Sequence, residues 1–211
     1  MKNFASLFSF IIFGIGSSWL CLIVAGSGTL SFSNLQPSVM DPNDPDKKAV
    51  LVSTSEGLAA AGAEVYREMA CAACHTQQVR RPGYGGDFDR DWGGRQAVAP
   101  DFVFQDNVLL GSRRIGPDLS NVGARRDADW LFLHLYKPSI NAEATTMPAY
   151  PQLFREKEFS GTPATNALNL EGNDLPPEGT EVVPTEKAVA LVAYLQSLNL
   201  DYDLPESKRL K

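Results

Sequence analysis

Two cysteines and a histidine lie together in the stretch Cys71-Ala-Ala-Cys74-His75 of a 211-residue chain. The whole chain contains only three cysteines and two histidines, so this segment concentrates the groups that can bind a metal or form covalent links. A C-x-x-C-H motif is typical of covalent haem attachment, in which both sulfurs add to the vinyl groups of the porphyrin. The motif therefore predicts one covalently bound haem c, attached to Cys71 and Cys74, with His75 as an axial ligand of the iron.

Three other interpretations of the motif stay open. A thioredoxin-like pair of cysteines would need a surrounding βαβ pattern, which this sequence lacks. A closed structural zinc site would need four ligands, and the chain has few further cysteines and histidines to supply them. The motif could also occur by chance in a structural helix. The spacing of the three residues favours haem attachment.

The four methionines of the chain are candidates for the second axial ligand of the iron. Three of the four lie outside the predicted haem domain or on the same short helix as the motif, namely Met1, Met40 and Met69. Met147 lies in the loop ATTMPAYPQLF, where the following proline favours an extended backbone that presents the thioether. His134, in DADWLFLHLYKP, is the rival ligand, and an open or water-bound iron is the third alternative. Ligation by His75 and Met147 would give a low-spin haem with a higher potential than two histidines give.

The charge balance argues against one class of partner. The chain has 25 acidic and 19 basic side chains, and its net charge of −6 does not suit nucleic acid. It also carries no Ser/His/Asp set, no phosphate-binding loop and no carboxylate dyad. We therefore do not expect the isolated chain to be an enzyme.

The N-terminal region has the composition of a membrane anchor. No charged residue occurs from Phe4 to Phe32, and about 20 apolar residues suffice for a helix that spans a bilayer. A signal peptide cleaved near Ala25-Gly26-Ser27 is the alternative, although its apolar centre would be only about 7–15 residues long. Bacteria attach haem c outside the cytoplasmic membrane. We therefore expect a single-pass protein of the inner membrane, with a cytoplasmic N-terminus and a periplasmic haem domain.

Composition divides the chain into four parts. Residues 1–33 form the anchor, and the proline-rich residues 34–54 are expected to be an extended linker. Residues 55–200 form the haem domain, and residues 201–211 form a C-terminal tail.

Two helical patterns bracket the haem domain, so the predicted fold class is mainly α. Ser55 is predicted to cap the first helix and Thr185 the last. Apolar residues recur at helical spacing on one face of each helix. These faces comprise Leu58, Ala61, Gly62, Val65 and Met69 in the first helix and Ala188, Leu191, Val192, Leu195 and Leu198 in the last.

In these two helices the sequence resembles the class I cytochrome c family. In that family the first and last helices cross at a glycine, which lets an aromatic side chain of the other helix approach. Gly62, Tyr66 and Tyr194 match those positions. The resemblance implies a helical cytochrome c domain, here with a long loop insertion.

The element GPDL, within GSRRIGPDLSNVGAR, resembles the loop beneath the haem in the same family. The resemblance implies that the carbonyl of Pro117 accepts the Nδ1–H of His75 and that Leu119 packs on the porphyrin ring. Arg113 and Arg114 precede this element and could pair with the haem propionates, since a guanidinium matches carboxylate geometry. Charge pairing at the protein surface is the simpler alternative for both arginines.

Residues 77–110, here called the excursion, separate the haem motif from this loop. They are dense in Gly, Asp and Arg with interleaved aromatic residues, which predicts an ordered surface segment rather than a core element. The excursion is either a solvated loop or a docking surface for a partner subunit. In the second case Trp92, Phe102 and Phe104 are the expected anchors.

The order of these features along the chain makes the family resemblance more specific. The anchor, VYREMACAACHTQQVRRP, LLGSRRIGPDLSNVGARRDADWLFLHLYKP and TMPAYPQLF together closely resemble the monohaem subunit II of cbb3-type cytochrome c oxidases. The resemblance covers most of residues 60–154 and is loose over residues 90–107. It implies that the chain accepts electrons from a donor cytochrome c or a dihaem cytochrome c subunit. It would pass them singly to the catalytic haem–copper subunit I, which reduces oxygen to water.

Two other functions stay open at this point. The small cytochrome c subunit of a bacterial nitric oxide reductase has the same plan of anchor and haem domain, although the excursion and the MPAYP loop favour the oxidase. A haem-based binding or sensing module is a different class of protein. It would need an exchangeable sixth ligand, which carbon monoxide binding to the reduced domain would reveal.

Overall fold

The computed structural model describes most of the chain. The described ranges are 2–29, 38–41, 44–50, 57–103, 105, 107–204 and 206–210. The chain divides into two compact units, Met1–Pro37 and Ser38–Lys211. The predicted anchor lies in the first unit and the haem motif in the second.

The first unit contains helix α1, Lys2–Thr29. Its segment Ser6–Ile23 has a mean hydropathy of 2.0, and α1 is the one helix among the described residues that is long and apolar enough to cross a membrane. Exposed apolar side chains lie on all sides of this segment, an arrangement that suits lipid rather than water. The helix therefore has the length and composition of the predicted anchor.

Among its described residues, the second unit contains four α-helices and two small sheets. The helices are α2 (Leu58–Glu68), α3 (Val122–Arg125), α4 (Ala128–Tyr136) and α5 (Glu186–Ser197). Short 3₁₀ turns lie at Cys71–Ala73, Ala99–Phe102, Pro138–Ile140, Pro151–Leu153 and Gly172–Asp174. The antiparallel strand pairs are β1 (Ser38–Asp41) with β2 (Asp44–Val50) and β3 (Phe154–Glu158) with β4 (Thr180–Pro184). The predicted fold class, mainly α, is confirmed.

The pair β1–β2 differs from the extended linker predicted for residues 34–54. Ser38 pairs with Val50 and Met40 with Lys48, so the chain reverses within the segment. Asp41 pairs with Asp44, so the chain reverses between these two residues. The remaining linker residues lie outside the described ranges.

The core is built where α2 crosses α5. A Cβ atom on Gly62 would lie 1.9 Å from the carbonyl oxygen of Ala190 and 2.7 Å from the Cβ of Tyr194, so only glycine permits this approach. The rings of Tyr66 and Tyr194 meet edge to face with their centroids 5.4 Å apart. The crossing predicted at Gly62 is therefore present.

Helix α5 begins and packs as its sequence predicts. Thr185 caps it, because its hydroxyl oxygen accepts the N–H of Ala188 at 3.3 Å. All five residues of the predicted apolar face are buried: Ala188, Leu191, Val192, Leu195 and Leu198.

Helix α2 differs from its prediction in its first turn. Leu58 and Ala61 are exposed, whereas Tyr66, which the predicted face omits, is fully buried. The buried face is rotated because Gly62 is the point of closest contact with α5. The cap predicted at Ser55 lies outside the described residues.

The pair β3–β4, which no pattern in the sequence predicts, starts directly after the loop that contains Met147. Phe154 lies opposite Pro184 at the end of the pair. The N–H of Thr185 then donates to the carbonyl of Leu153 at 2.9 Å. The sheet therefore joins the end of the Met147 loop to the start of α5.

The described residues of the predicted tail, 201–211, pack against the excursion. Arg95 is fully buried and donates to the two carboxylate oxygens of Asp101 at 2.9 and 2.6 Å. Arg95 also donates to the carbonyl of Tyr202 at 2.6 Å, and the hydroxyl of Tyr202 donates to Asp101 at 2.7 Å. The hydroxyl of Ser207 donates to the carbonyl of Gln96 at 2.9 Å. The excursion thus contains a buried ion pair, and Tyr202 of the C-terminal tail forms hydrogen bonds with both of its members.

Candidate haem site

The C-x-x-C-H motif lies on a tight turn directly after α2. The chain enters the turn Cys71–Ala73 through Ala70, whose φ of 56° is left-handed. The N–H groups of Cys74 and His75 both donate to the carbonyl of Cys71, at 3.1 and 2.9 Å. One turn of chain therefore holds both cysteines and the histidine.

The thiol of Cys71 does not have the character of a redox-active cysteine. Burial raises its pKa to about 11, so the thiol is protonated at neutral pH. Redox-active C-x-x-C pairs instead contain a cysteine with a lowered pKa. Cys71 therefore does not have the lowered pKa that one cysteine of such a pair has.

A hydrogen bond fixes the ring of His75. Its Nδ1 lies 2.8 Å from the carbonyl oxygen of Pro117. Because a carbonyl oxygen can only accept, Nδ1 carries the hydrogen and Nε2 keeps the lone pair that a metal needs. Burial lowers the pKa of His75, and the bond to Pro117 opposes this effect only in part, so the imidazole is neutral at physiological pH. The contact that the resemblance implied between these residues is present.

Two glycines let the following loop lie against His75. A Cβ atom on Gly116 would lie 2.3 Å from Cε1 of the ring, and one on Gly111 would lie 2.1 Å from the carbonyl oxygen of His75. Gly111 also has a left-handed φ of 79°. Sequence analysis did not single out Gly111, since a lone glycine before a polar loop gives no signal of such a contact.

Met147 and Leu119 are half-buried and pack against the hydrophobic core. The Met147 loop is tied to α4, because the N–H of Tyr150 donates to the carbonyl of Leu135 at 3.0 Å. Burial raises the pKa of Tyr150, and the two motif cysteines contribute further, which places Tyr150 near them. Met147 thus belongs to a loop anchored close to the motif, and its bond to iron stays a prediction.

His134, the rival ligand, lies in α4. Its ring stacks on Trp130 with a centroid separation of 4.5 Å. Its Nδ1 is buried and has no hydrogen-bond partner among the residues that the structure describes. Burial lowers the pKa of His134, and His75 adds to the effect, so the two imidazoles lie within electrostatic reach of each other. The alternative that His134 binds the iron stays open.

Arg114 pairs with carboxylates of the chain itself. Its Nη2 lies 2.6 Å from Asp87 and its Nη1 lies 3.4 Å from Asp118, and both carboxylates are buried. The charge pairing predicted for Arg114 is present, although its partners are buried rather than at the surface, and its pairing with a haem propionate stays a prediction. Arg113 is exposed, and its pairing with a haem propionate stays a prediction.

The aromatic residues proposed as docking anchors are only partly available. Trp92 and Phe102 are half-buried, and Phe104 lies outside the described residues. The guanidinium groups of Arg90 and Arg114 lie 5.1 and 4.9 Å from the ring centre of Trp92. A docking role of the excursion stays a prediction.

Comparison with known families adds an independent finding. Residues 19–171 match the family described as the mono-haem subunit of cytochrome c oxidase, FixO. The chain belongs to this family. The match includes the C-x-x-C-H motif, the GPDL loop and Met147, and it confirms the resemblance to subunit II of cbb3-type oxidases. No curated protein matches the sequence.

The side chains at the site fit the single haem that the FixO family implies. They include two thiols, an imidazole with a free Nε2 lone pair and a thioether in a nearby loop. These are the groups that form the two thioethers of a haem c and bind its iron.

Proposed function

We propose that the chain is a membrane-anchored c-type cytochrome that passes single electrons to the catalytic haem–copper subunit of a cbb3-type oxidase. The observation that carries the proposal is the imidazole of His75. Pro117 holds it in the tautomer with a free Nε2, directly after two cysteines that can form thioethers. Membership of the FixO family supports the oxidase as the complex in which the electrons are used.

Four side chains hold the haem in this proposal. Cys71 and Cys74 would form the thioethers, and His75 and Met147 would bind the iron. The haem supplies one-electron chemistry when it is bound. Leu119 and the core behind it keep water away, and a thioether ligand raises the potential relative to a second imidazole. Electron transfer then requires no acid or base side chain, so the isolated chain is a carrier rather than an enzyme.

We assign the soluble region to the class I cytochrome c fold, with the excursion as an insertion. The crossing of α2 and α5 at Gly62 supports this assignment. The hydrogen bond from His75 to the loop that follows the excursion supports it further.

The proposed location is the inner membrane, with α1 as a single-pass anchor. The apolar segment Ser6–Ile23 and the membrane-complex family support anchoring. Because haem c is attached outside the cytoplasmic membrane, the haem domain faces the periplasm and the N-terminus the cytoplasm. The proposed partners are the haem–copper subunit I, a further cytochrome c subunit and a donor cytochrome c.

The FixO match favours this function over the small subunit of a nitric oxide reductase. The two are distinguished by copurification, because the oxidase contains copper in its catalytic subunit and the reductase contains iron there. A sensing module is distinguished by carbon monoxide, which should not bind readily to a reduced haem that retains Met147.

The attachment is tested on the full-length chain produced with its haem-attachment machinery. We expect haem staining to survive on a denaturing gel and Cys74→Ala to impair it. Cys21→Ala is the matched control, since Cys21 lies in α1 and its loss should leave the stain unchanged. Full-strength staining of Cys74→Ala, or a mature mass without an added porphyrin, would refute the proposal.

A further inference from the structure

Asp118 is a fully buried carboxylate that directly follows the residue whose carbonyl holds His75. One carboxylate oxygen accepts the hydroxyl of Thr76 at 2.6 Å and the N–H of Gln78 at 2.8 Å. The other accepts the N–H and the hydroxyl of Ser120 at 2.9 and 2.6 Å. Four hydrogen-bond donors thus surround the two carboxylate oxygens. The structure therefore buries a negative charge beside Pro117, in the loop that contacts His75, which is here called the proximal loop.

The loop around Asp118 is fastened to the segment that follows the haem motif. The N–H of Gly116 donates to the carbonyl of Cys74 at 3.0 Å, and the N–H of Leu119 donates to the carbonyl of Thr76 at 2.8 Å. The carbonyl of Pro117 lies between these two attachments in the chain. The position of the acceptor for the axial imidazole therefore depends on the attachments that Asp118 reinforces.

Arg114 joins Asp118 to a second buried carboxylate, which the excursion supplies. Its guanidinium contacts Asp87 at 2.6 Å and Asp118 at 3.4 Å. Asp87 also accepts the main-chain N–H of Arg80 at 2.8 Å and its guanidinium at 2.9 Å. The ring of Trp92, with its centre 4.9 Å from the Arg114 guanidinium, covers this cluster from one side. The excursion is thus connected to the loop beside His75 by charge.

The charges of Asp118 and Arg114 have opposite effects on the reduction potential of a haem iron bound by His75. The oxidised iron carries one more positive charge than the reduced iron, so the anion of Asp118 stabilises the oxidised form and lowers the reduction potential. The cation of Arg114 acts in the opposite direction. Both side chains are shielded from solvent, with Arg114 19% exposed and Asp118 fully buried, so salt screens them less than exposed charges.

We propose that Asp118 and Arg114 are positioning residues that set the reduction potential of the haem. Asp118 holds the loop whose carbonyl orients His75 and supplies a negative charge. Arg114 offsets that charge and connects it to Asp87 in the excursion. The inference rests on the proposed function, because it requires a haem bound at His75.

The test is an equilibrium redox titration of the full-length, haem-loaded protein, followed by its absorption spectrum. We expect Asp118→Asn to raise the midpoint potential and Arg114→Gln to lower it. A single shielded charge should change the reduction equilibrium on the order of tenfold, which is about 59 mV for one electron. Opposite signs exclude a purely structural effect, because loosening the loop would admit water in both variants and shift both potentials the same way.

Matched variants distinguish an effect of charge on the midpoint potential from an effect of altered structure. Arg114→Lys keeps the charge and should restore most of the potential lost in Arg114→Gln. Asp89→Asn and Arg155→Gln make the same charge changes at exposed positions and should leave the midpoint unchanged.

The results distinguish failure of this inference from failure of the proposed function. Shifts of the same sign in Asp118→Asn and Arg114→Gln, or no shift in either, overturn the inference while the proposed function stands. If Asp118→Asn does not accumulate as folded protein, equal potentials for Arg114→Gln and Arg114→Lys overturn it. A wild-type chain without attached haem would instead refute the proposed function.

Discussion

Replacing Gly116 with alanine tests how closely the proximal loop packs on the ligand histidine. A Cβ atom at this position would lie 2.3 Å from Cε1, 2.7 Å from Nδ1 and 2.8 Å from Nε2 of His75. Ordinary contacts begin at 3.4 Å, so the ring and the loop would have to separate by about 1.1 Å. The obstacle is a ring that is already bonded to Pro117, not the end of a flexible side chain. The alanine therefore cannot be accepted without disturbing that bond.

The expected cost follows from two effects. A separation of this size along the bond would lengthen the 2.8 Å contact between His75 and Pro117 to about 3.9 Å, beyond hydrogen-bonding range. Losing the bond costs about 1 kcal/mol, and the overpacking costs about 1–3 kcal/mol. We expect Gly116→Ala to lower the free energy of unfolding by about 2–4 kcal/mol. The imidazole also becomes a weaker donor to iron, so the midpoint potential should rise.

Guanidinium unfolding of the full-length, haem-loaded protein in detergent measures this loss. Gly94→Ala is the matched control, since its Cβ would meet Arg209 at an ordinary distance of 3.6 Å. The control should change the free energy of unfolding by no more than about 0.5 kcal/mol. Wild-type stability and potential in Gly116→Ala would refute the close contact between the loop and His75.

Three further perturbations address other parts of the molecule. Met147→Leu removes the thioether, so the midpoint potential should fall and the reduced haem should bind carbon monoxide; an unchanged spectrum and midpoint would transfer the ligand role to His134. Asp101→Asn leaves the buried Arg95 without its counter-charge and should cost about 3–5 kcal/mol in urea unfolding. The control Asp203→Asn alters an exposed pair and should have little effect, so equal losses would contradict a buried ion pair. Burial lowers the pKa of folded His134, so the unfolded chain binds more protons and stability should fall as pH drops below about 6.5. His134→Phe should flatten that part of the stability profile, and an unchanged slope would count against a buried neutral imidazole.

The local geometry of the haem motif could be predicted from the sequence because the residues concerned are close together in the chain. Cys71, Cys74 and His75 are neighbours in the chain, and their spacing alone predicts one turn that carries all three. Met69 was set aside as a ligand from its position two residues before the motif, and its sulfur accepts a hydrogen bond from Nε2 of Gln152 at 3.4 Å. The buried face of α5 followed from helical periodicity, which depends only on residues a few positions apart.

The features that escaped prediction depend on residues far apart in the chain. Arg114 could be placed near the haem loop, but its contact with Asp87 spans 27 positions and leaves no local pattern. The packing of the C-terminal tail could not be predicted, because nothing in its composition shows that Tyr202 meets Arg95, 107 positions away. The pairs β1–β2 and β3–β4 likewise depend on main-chain register, which short polar strands specify weakly.

The crossing at Gly62 also has a consequence for the order in which the molecule matures. Its partner Ala190 lies 128 positions further along the chain, so α2 cannot pack against α5 until the residues between them have been synthesised. In the proposed function, the porphyrin would be added to the motif thiols before this packing is complete. A variant that folds ahead of attachment should then accumulate as colourless protein.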